Sequence, residues 1–329
     1  MSVNRLFSSI RYPIFGAPMA NVSGSAVAAA VSRAGGLGLI GGGYSTDKLR
    51  KDVMDAVETL KDEPYNIGFG VLTFSIKDQS IVHDILRDVE ESGKVNSVWL
   101  FGGDEEKWIP GLKRDFPELV VMVQVHNVQA AQRMVECGAD VIVAQGSDSG
   151  GHGGAESSSI ISLVPEIVKS CPGVPVLAAG GISNGQGIFA ALSLGAAGVV
   201  LGTRFMLSQE SLLPQKAKEV ACRAKDGGRT TVQTRLYDEM RGTTDWPMNF
   251  TGRAIRNKTI EESLTGREEA ELKEAYKTAV GAEDYSRVVC WAGTGVGLVN
   301  DILPAAQIVT NLVKEYNEAV QKAPASWNV

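Results

Sequence analysis

The chain has 329 residues, 44% of them apolar and 21% charged, and a net charge of −6 from 32 basic and 38 acidic side chains. That length suits one large barrel or two average domains. The acidic balance, with no run of five basic residues, argues against a nucleic-acid or anionic-membrane partner, and no stretch approaches the ~20 apolar residues that span a bilayer.

Met1 to Pro13 holds Arg5 and Arg11 but no apolar core, so a secretory signal is not expected there. Its three serines, Ser2, Ser8 and Ser9, are too few to argue for a transit peptide. From there on, eight short Val/Ile/Leu-rich runs read as strands. They are Pro13–Met19, Gly36–Gly42, Asn66–Leu72, Ser97–Gly103, Leu119–Val125, Val141–Gly146, Val174–Gly181 and Gly198–Phe205. Most lack alternation, the pattern of strands covered on both faces.

Helical periodicity falls between them, at Ser25–Ala34, Thr46–Glu63, Ser80–Ser92, Val128–Cys137 and Gly185–Leu194. Gly35, Gly138 and Gly195 each follow a helix, as C-terminal stops do. Regular β-α alternation implies right-handed crossovers and a parallel sheet. Eight units of about 25 residues fit an α/β architecture of the closed (β/α)8 TIM-barrel type. A doubly wound open sheet is the alternative, but no GxGxxG opens a helix after the first strand.

The rhythm breaks from about Ser208 to Ser286, a charged stretch without a clear strand. Within it Ser263–Ala282 reads as one exposed charged helix, and Trp246-Pro247-Met248-Asn249-Phe250 as an irregular segment. Placed after the eighth strand, this insertion is expected to be a smaller, mainly helical lid or substrate domain (208–286). The barrel itself is then 1–207 and 287–329, closed by a helix over Ile302–Ala319. Helical decoration or a dimer contact is the plainer alternative for the insertion. The chain ends Trp327-Asn328-Val329, which is not a peroxisomal Ser-Lys-Leu address.

Chemistry gathers at glycine-rich strand ends. Ala178–Ile182 and Gly198–Arg204 both stop an apolar run with glycines, and backbone without side chains can bring N–H donors close to a phosphate. In (β/α)8 barrels such a grip lies after strands seven and eight. One strand earlier, Gly146–Gly154 is a third glycine cluster, and it carries His152. The three together suggest a phosphate-bearing cofactor with a histidine beside it. A histidine titrates near neutrality and suits proton transfer or anion binding; a turn-capping role is the structural alternative. His83 lies in a predicted outer helix and His126 beyond the fifth strand. Four scattered cysteines without CxxC spacing give no zinc or other metal site and point to a reducing, intracellular and cytoplasmic compartment.

In order and spacing, Ala17-Pro18-Met19, Gly150–His152, Ala178–Ile182 and Gly202–Phe205 resemble the nitronate monooxygenase (2-nitropropane dioxygenase) family of FMN-dependent TIM barrels. The resemblance covers residues 13 to about 205, and Cys290–Val313 more loosely. It implies that Gly180, Gly181, Gly202 and Thr203 hold the FMN phosphate, aided by a helix N-terminus near Asn184. It places Ala17, Pro18 and Met19 beneath the isoalloxazine, with Gly70, Gln124, Gln145, Gly150 and Gly151 near the ring and ribityl chain. His152 falls on the family's catalytic histidine.

Three places depart from the family pattern: Asp148-Ser149 for Glu-Ala, Leu72 for asparagine, and Gly293-Thr294 for Gly-Gln. They bear on substrate rather than on FMN. The implied reaction is oxidation of alkyl nitronates, or nitroalkanes, with O2 to a carbonyl compound and nitrite. The implied partners are therefore a small anionic substrate and O2, with a homodimer left open. An NAD(P)H-dependent quinone or enoyl-thioester reductase on the same flavin barrel is the alternative, and a flavin-free phosphate-binding barrel a more distant one. A catalytic cysteine after the sixth strand is disfavoured, because none lies between Cys137 and Cys171.

Around the site, Asp148 is a candidate ribityl ligand or a solvated carboxylate, and Arg204 a structural rim partner more than a phosphate ligand. Trp246, Phe250 and Trp291 are candidates for a hydrophobic slot, with core packing the better expectation for Trp291. The Gly41-Gly42-Gly43 run reads as a tight turn, otherwise as floor of the site.

Overall fold

A computed structural model describes residues 3–323; Met1, Ser2 and Trp327-Asn328-Val329 lie outside the described residues. Eight parallel strands close into a barrel. They are β1 (Ile14–Gly16), β2 (Leu37–Gly41), β3 (Ile67–Leu72), β4 (Val95–Phe101), β5 (Val120–Val125), β6 (Val141–Gln145), β8 (Val176–Ala179) and β9 (Gly198–Leu201), with a short β7 (Gly151–Gly154) outside the barrel. Closure is direct: β1 pairs with β2 through Phe15↔Leu37 and with β9 through Phe15↔Val200. All eight strands read from sequence are barrel strands.

The strands are apolar on both faces because both are covered. Phe15, Leu37, Leu39, Trp99, Met122, Val143 and Leu177 fill the interior, and Val3, Phe7 and Ile10 pack onto its lower end. The other face meets α1 (Ser25–Arg33), α2 (Thr46–Leu60), α3 (Ser80–Val89), α4 (Glu105–Asp115), α5 (Val128–Glu136), α6 (Ile160–Ser170) and α7 (Gly185–Ser193). Short polar caps start these helices: Asn127 Oδ1 accepts from Ala130 N at 2.9 Å, and Asn184 Oδ1 from Gly187 N at 2.9 Å. Gly35, Gly138 and Gly195 end α1, α5 and α7 at positive φ, as expected of glycine stops. The helices α4 and α6 are additional to those read from periodicity. Each contains a proline, Pro110 and Pro165, which argues against a helix interior when only sequence is read.

After β9 come the four-residue α8 (Thr203–Met206), then α9 (Gln215–Arg223), α10 (Gly227–Thr230), β10 (Thr231–Thr234), α11 (Leu236–Arg241), β11 (Phe250–Ile255), α12 (Lys258–Leu264) and α13 (Glu269–Gly281). Two features correct the sequence reading. The insertion is mainly helical but not strand-free: β10, β11 and β7 form a three-stranded antiparallel sheet, with Gly252 opposite His152. The expected single helix over Ser263–Ala282 is two, broken at Thr265–Glu268 around Gly266 at φ +82. β10 (Thr-Val-Gln-Thr) is short and polar, and β11 carries Gly252 and Arg253 within it, so neither stands out as an apolar run. The chain returns alongside β11, Ile255 N donating to Cys290 O at 2.9 Å, and ends in α14 (Ala305–Lys322) against α7.

Candidate active site

One cavity of about 240 Å3 opens at the carboxyl ends of the barrel strands. Ala17, Pro18, Met19, Gly70, Gln124, Gln145, Gly150, Gly151, His152, Gly180, Gly181, Gly202 and Thr203 all line it. The fold therefore brings these thirteen residues together, from six different strand ends and β7.

The turn after β8 needs glycine twice over. Gly180 and Gly181 sit at φ +110 and +72, and a Cβ on Gly180 would lie 2.7 Å from Ser149 Oγ. The two turns are also crossed by the returning chain, Gly293 N donating to Thr203 Oγ1 at 3.0 Å. At the N-terminus of α7, Gly185 N donates to Glu315 Oε2 at 2.8 Å, and Gly187 N to its own cap Asn184 at 2.9 Å.

A second set of donors comes from β5 and β6. Gln145 Oε1 accepts from Gln124 Nε2 at 2.7 Å and from His126 Nε2 at 2.8 Å. With its oxygen taken twice, Gln145 keeps its NH2 group as a donor at the cavity wall. His126 is buried, and burial pushes its imidazole down to about 4. It is thus a neutral brace for Gln145, and it does not line the cavity.

His152 lies on the short strand β7. Its imidazole stacks on Trp246 with centroids 3.9 Å apart and planes 8° from parallel, and Trp291 tilts against it at 4.8 Å. Nε2 sits 2.9 and 3.0 Å from the two carboxylate oxygens of Asp238, which is almost fully buried. Asp238 also accepts from Thr243 Oγ1 at 2.9 Å. The helix α11 that carries it is pinned by Tyr237 Oη donating to Ile255 O at 3.1 Å, and Arg235 next to it ties the 247–250 backbone down. No spacing in the sequence could mark Asp238, one acid among many in a charged insertion and 86 residues from its partner.

Around this centre, Trp246 and Trp291 line the cavity, while Phe250 does not and packs on Phe101 and His126 instead. Trp291 reaches the cavity because Gly252 has no Cβ, which would lie 2.3 Å from the indole. Gly42 and Gly43 are lining residues, and Gly43 turns at φ +56. Asp148 Oδ1 accepts from Thr294 Oγ1 at 3.1 Å. Two of the departures from the family pattern thus bond to each other. Arg204 is a rim partner, its guanidinium 2.7 Å from Asp301. His83 pairs with Asp115 at 3.0 Å on the outer helices, away from the cavity. Among the described residues no helix is long and apolar enough to cross a membrane.

Residues 2–315 match the family model described as nitronate monooxygenase. The chain is 36% identical to a nitronate monooxygenase of Neurospora crassa, covering 98% of this chain and 94% of that one. It is 35% identical to the nitronate monooxygenase npaC of Metarhizium robertsii, over 90% of this chain and 88% of the relative. Among solved structures it resembles FabK from Thermotoga maritima, with 30% identity, a TM-score of 0.81 and 97% of each chain covered. A nitroalkane oxidase from Streptomyces ansochromogenes shares the fold, with a TM-score of 0.78 and 24% identity over 98% of this chain and 100% of that one. Matched across nearly its whole length by sequence and by fold, this chain belongs to the nitronate monooxygenase family, a family of flavin-dependent enzymes.

Proposed function

We propose that this protein oxidises alkyl nitronates with O2 to the carbonyl compound and nitrite, using FMN held in the cavity at the barrel mouth. The observation that carries the reading is convergence: glycine turns after β8 and β9, a donor amide on Gln145 and the His152 imidazole all line one cavity. The fit to FMN rests on those groups. Gly180, Gly181, Gly202 and Thr203 offer close backbone approach to a phosphate, Gln124 and Gln145 stand for the ring edge, and Ala17–Met19 for its face. FMN bound there would supply a two-electron acceptor that O2 can reoxidise.

The side chains have separate tasks. His152 in its protonated form donates to a nitronate oxygen; in its neutral form it accepts the Cα proton of a neutral nitroalkane. Trp246, Trp291, Phe101 and Leu72 keep water from that contact. Residues 208–286 serve as the lid and substrate domain of a barrel built from 1–207 and 287–329, because Trp246 and Arg241 on the cavity wall come from that insertion. The four free cysteines fit the reducing cytoplasm.

Mixing the FMN-loaded protein with ethylnitronate without oxygen should bleach the visible flavin band in a single rapid phase. An unchanged spectrum would eliminate nitronate as the reductant. The similarity to FabK supports a second reading, an NAD(P)H-dependent quinone or enoyl-thioester reductase. Rapid bleaching by NADH or NADPH with ethylnitronate inert would select it.

A further inference from the structure

We infer that Asp238 is a positioning residue that locks His152 as the Nε2–H tautomer, so that the bare Nδ1 is the atom left to take a substrate proton. The inference rests on the proposed nitronate chemistry for its kinetic arm only. The geometry is specific. Both Asp238 carboxylate oxygens lie within 3.0 Å of His152 Nε2, and neither lies at the cavity wall. A carboxylate accepts and cannot donate, so the ring nitrogen facing it carries the hydrogen. The pair is buried on both sides, His152 between Trp246 and Trp291 and Asp238 on α11 beneath β11.

Burial makes the carboxylate depend on these donors. Beyond His152, Thr243 Oγ1 is its other side-chain partner among the described residues, and a buried charge left with poorer pairing is costly. The charged and titratable groups around the pair include Arg241, which lies over Trp291 from the same helix, Tyr44 beside Trp246, Tyr276 on α13, and Asp245. None of them hydrogen-bonds to Nε2. The arrangement also couples the insertion to the chemistry: His152 sits on β7, between barrel strands β6 and β8, and its orienting carboxylate on a helix from the insertion.

A nitroalkane must lose its Cα proton before it can be oxidised, whereas a nitronate has already lost it. A positioned Nδ1 therefore matters to the first substrate and little to the second. The chain has three histidines, so the ring nitrogens can be assigned by 15N NMR of the FMN-loaded enzyme. We expect His152 in the wild type to show a protonated Nε2 and an unprotonated Nδ1. Asp238→Leu, which leaves no acceptor, should release that tautomer to a mixture. It should also lower kcat/KM for nitroethane about 10²-fold while changing that for ethylnitronate no more than a few-fold. Thr243→Val, which spares the carboxylate, should keep the tautomer.

A protonated Nδ1 in the wild type overturns the inference, and needs no variant to fold. So does an Asp238→Leu enzyme with the wild-type tautomer and the wild-type ratio of the two substrates. If neither substrate reduces the wild-type flavin, the proposed reaction fails, and the NMR arm still decides the role of Asp238.

Discussion

His152→Asn should retain FMN and lose turnover by roughly 10²-fold or more. Asparagine fits beside Trp246 without overpacking, and although its shorter amide does not replace the Nε2 bond to Asp238, the pairing of β7 with β11 is main-chain and should persist. It has no group that takes or gives a proton near neutrality, and that is the property the reaction needs. The loss should appear in kcat/KM for nitroethane above all, since the neutral substrate depends on proton removal. The check is steady-state oxygen uptake beside the flavin-to-protein absorbance ratio. Near-normal uptake at full flavin content would reduce His152 to a structural member of the lid sheet.

Gly150→Ala should cut FMN affinity by on the order of 10²-fold. A Cβ there would lie 2.5 Å from Ala292 C and Gly293 N, both backbone atoms that have no side-chain freedom with which to yield. The loop before His152 and the returning chain must move apart, at the upper end of the overpacking range, about 3 kcal/mol. That movement strains the links that hold the mouth together, among them Thr294 N to Asp148 O at 3.0 Å and Gly293 N to Thr203 Oγ1 at 3.0 Å. Fluorescence titration of the apoprotein with FMN measures the effect. Wild-type affinity in the variant would mean that this crossing does not shape the cofactor site.

The barrel was legible because its strands are continuous apolar runs that end in glycine, a pattern that local sequence carries in full. The strand-end glycines and His152 were legible for the same reason, each lying at the end of a strand that could be counted. What escaped is long-range. Asp238 meets His152 only because α11 is pinned under β11, and β11 pairs with β7 across a hundred residues of chain. β10 is short and polar, and β11 is interrupted by Gly252 and Arg253, so neither stands out as an apolar run. Gln145 was placed near the ring by resemblance, but the brace of His126 and Gln124 that leaves its NH2 as a donor was not legible. Gly185 N at the start of α7 is likewise bonded by Glu315, 130 residues along the chain, a link that local sequence does not mark.

The central claim is that backbone at two neighbouring strand ends holds the cofactor by its phosphate. The direct measurement is titration of the apoprotein with FMN and, in parallel, with riboflavin, which lacks only that group. Two charge-assisted backbone bonds to the phosphate predict FMN binding roughly 10³-fold more tightly at one equivalent per chain. Equal affinities for the two, or no binding of either, would contradict it.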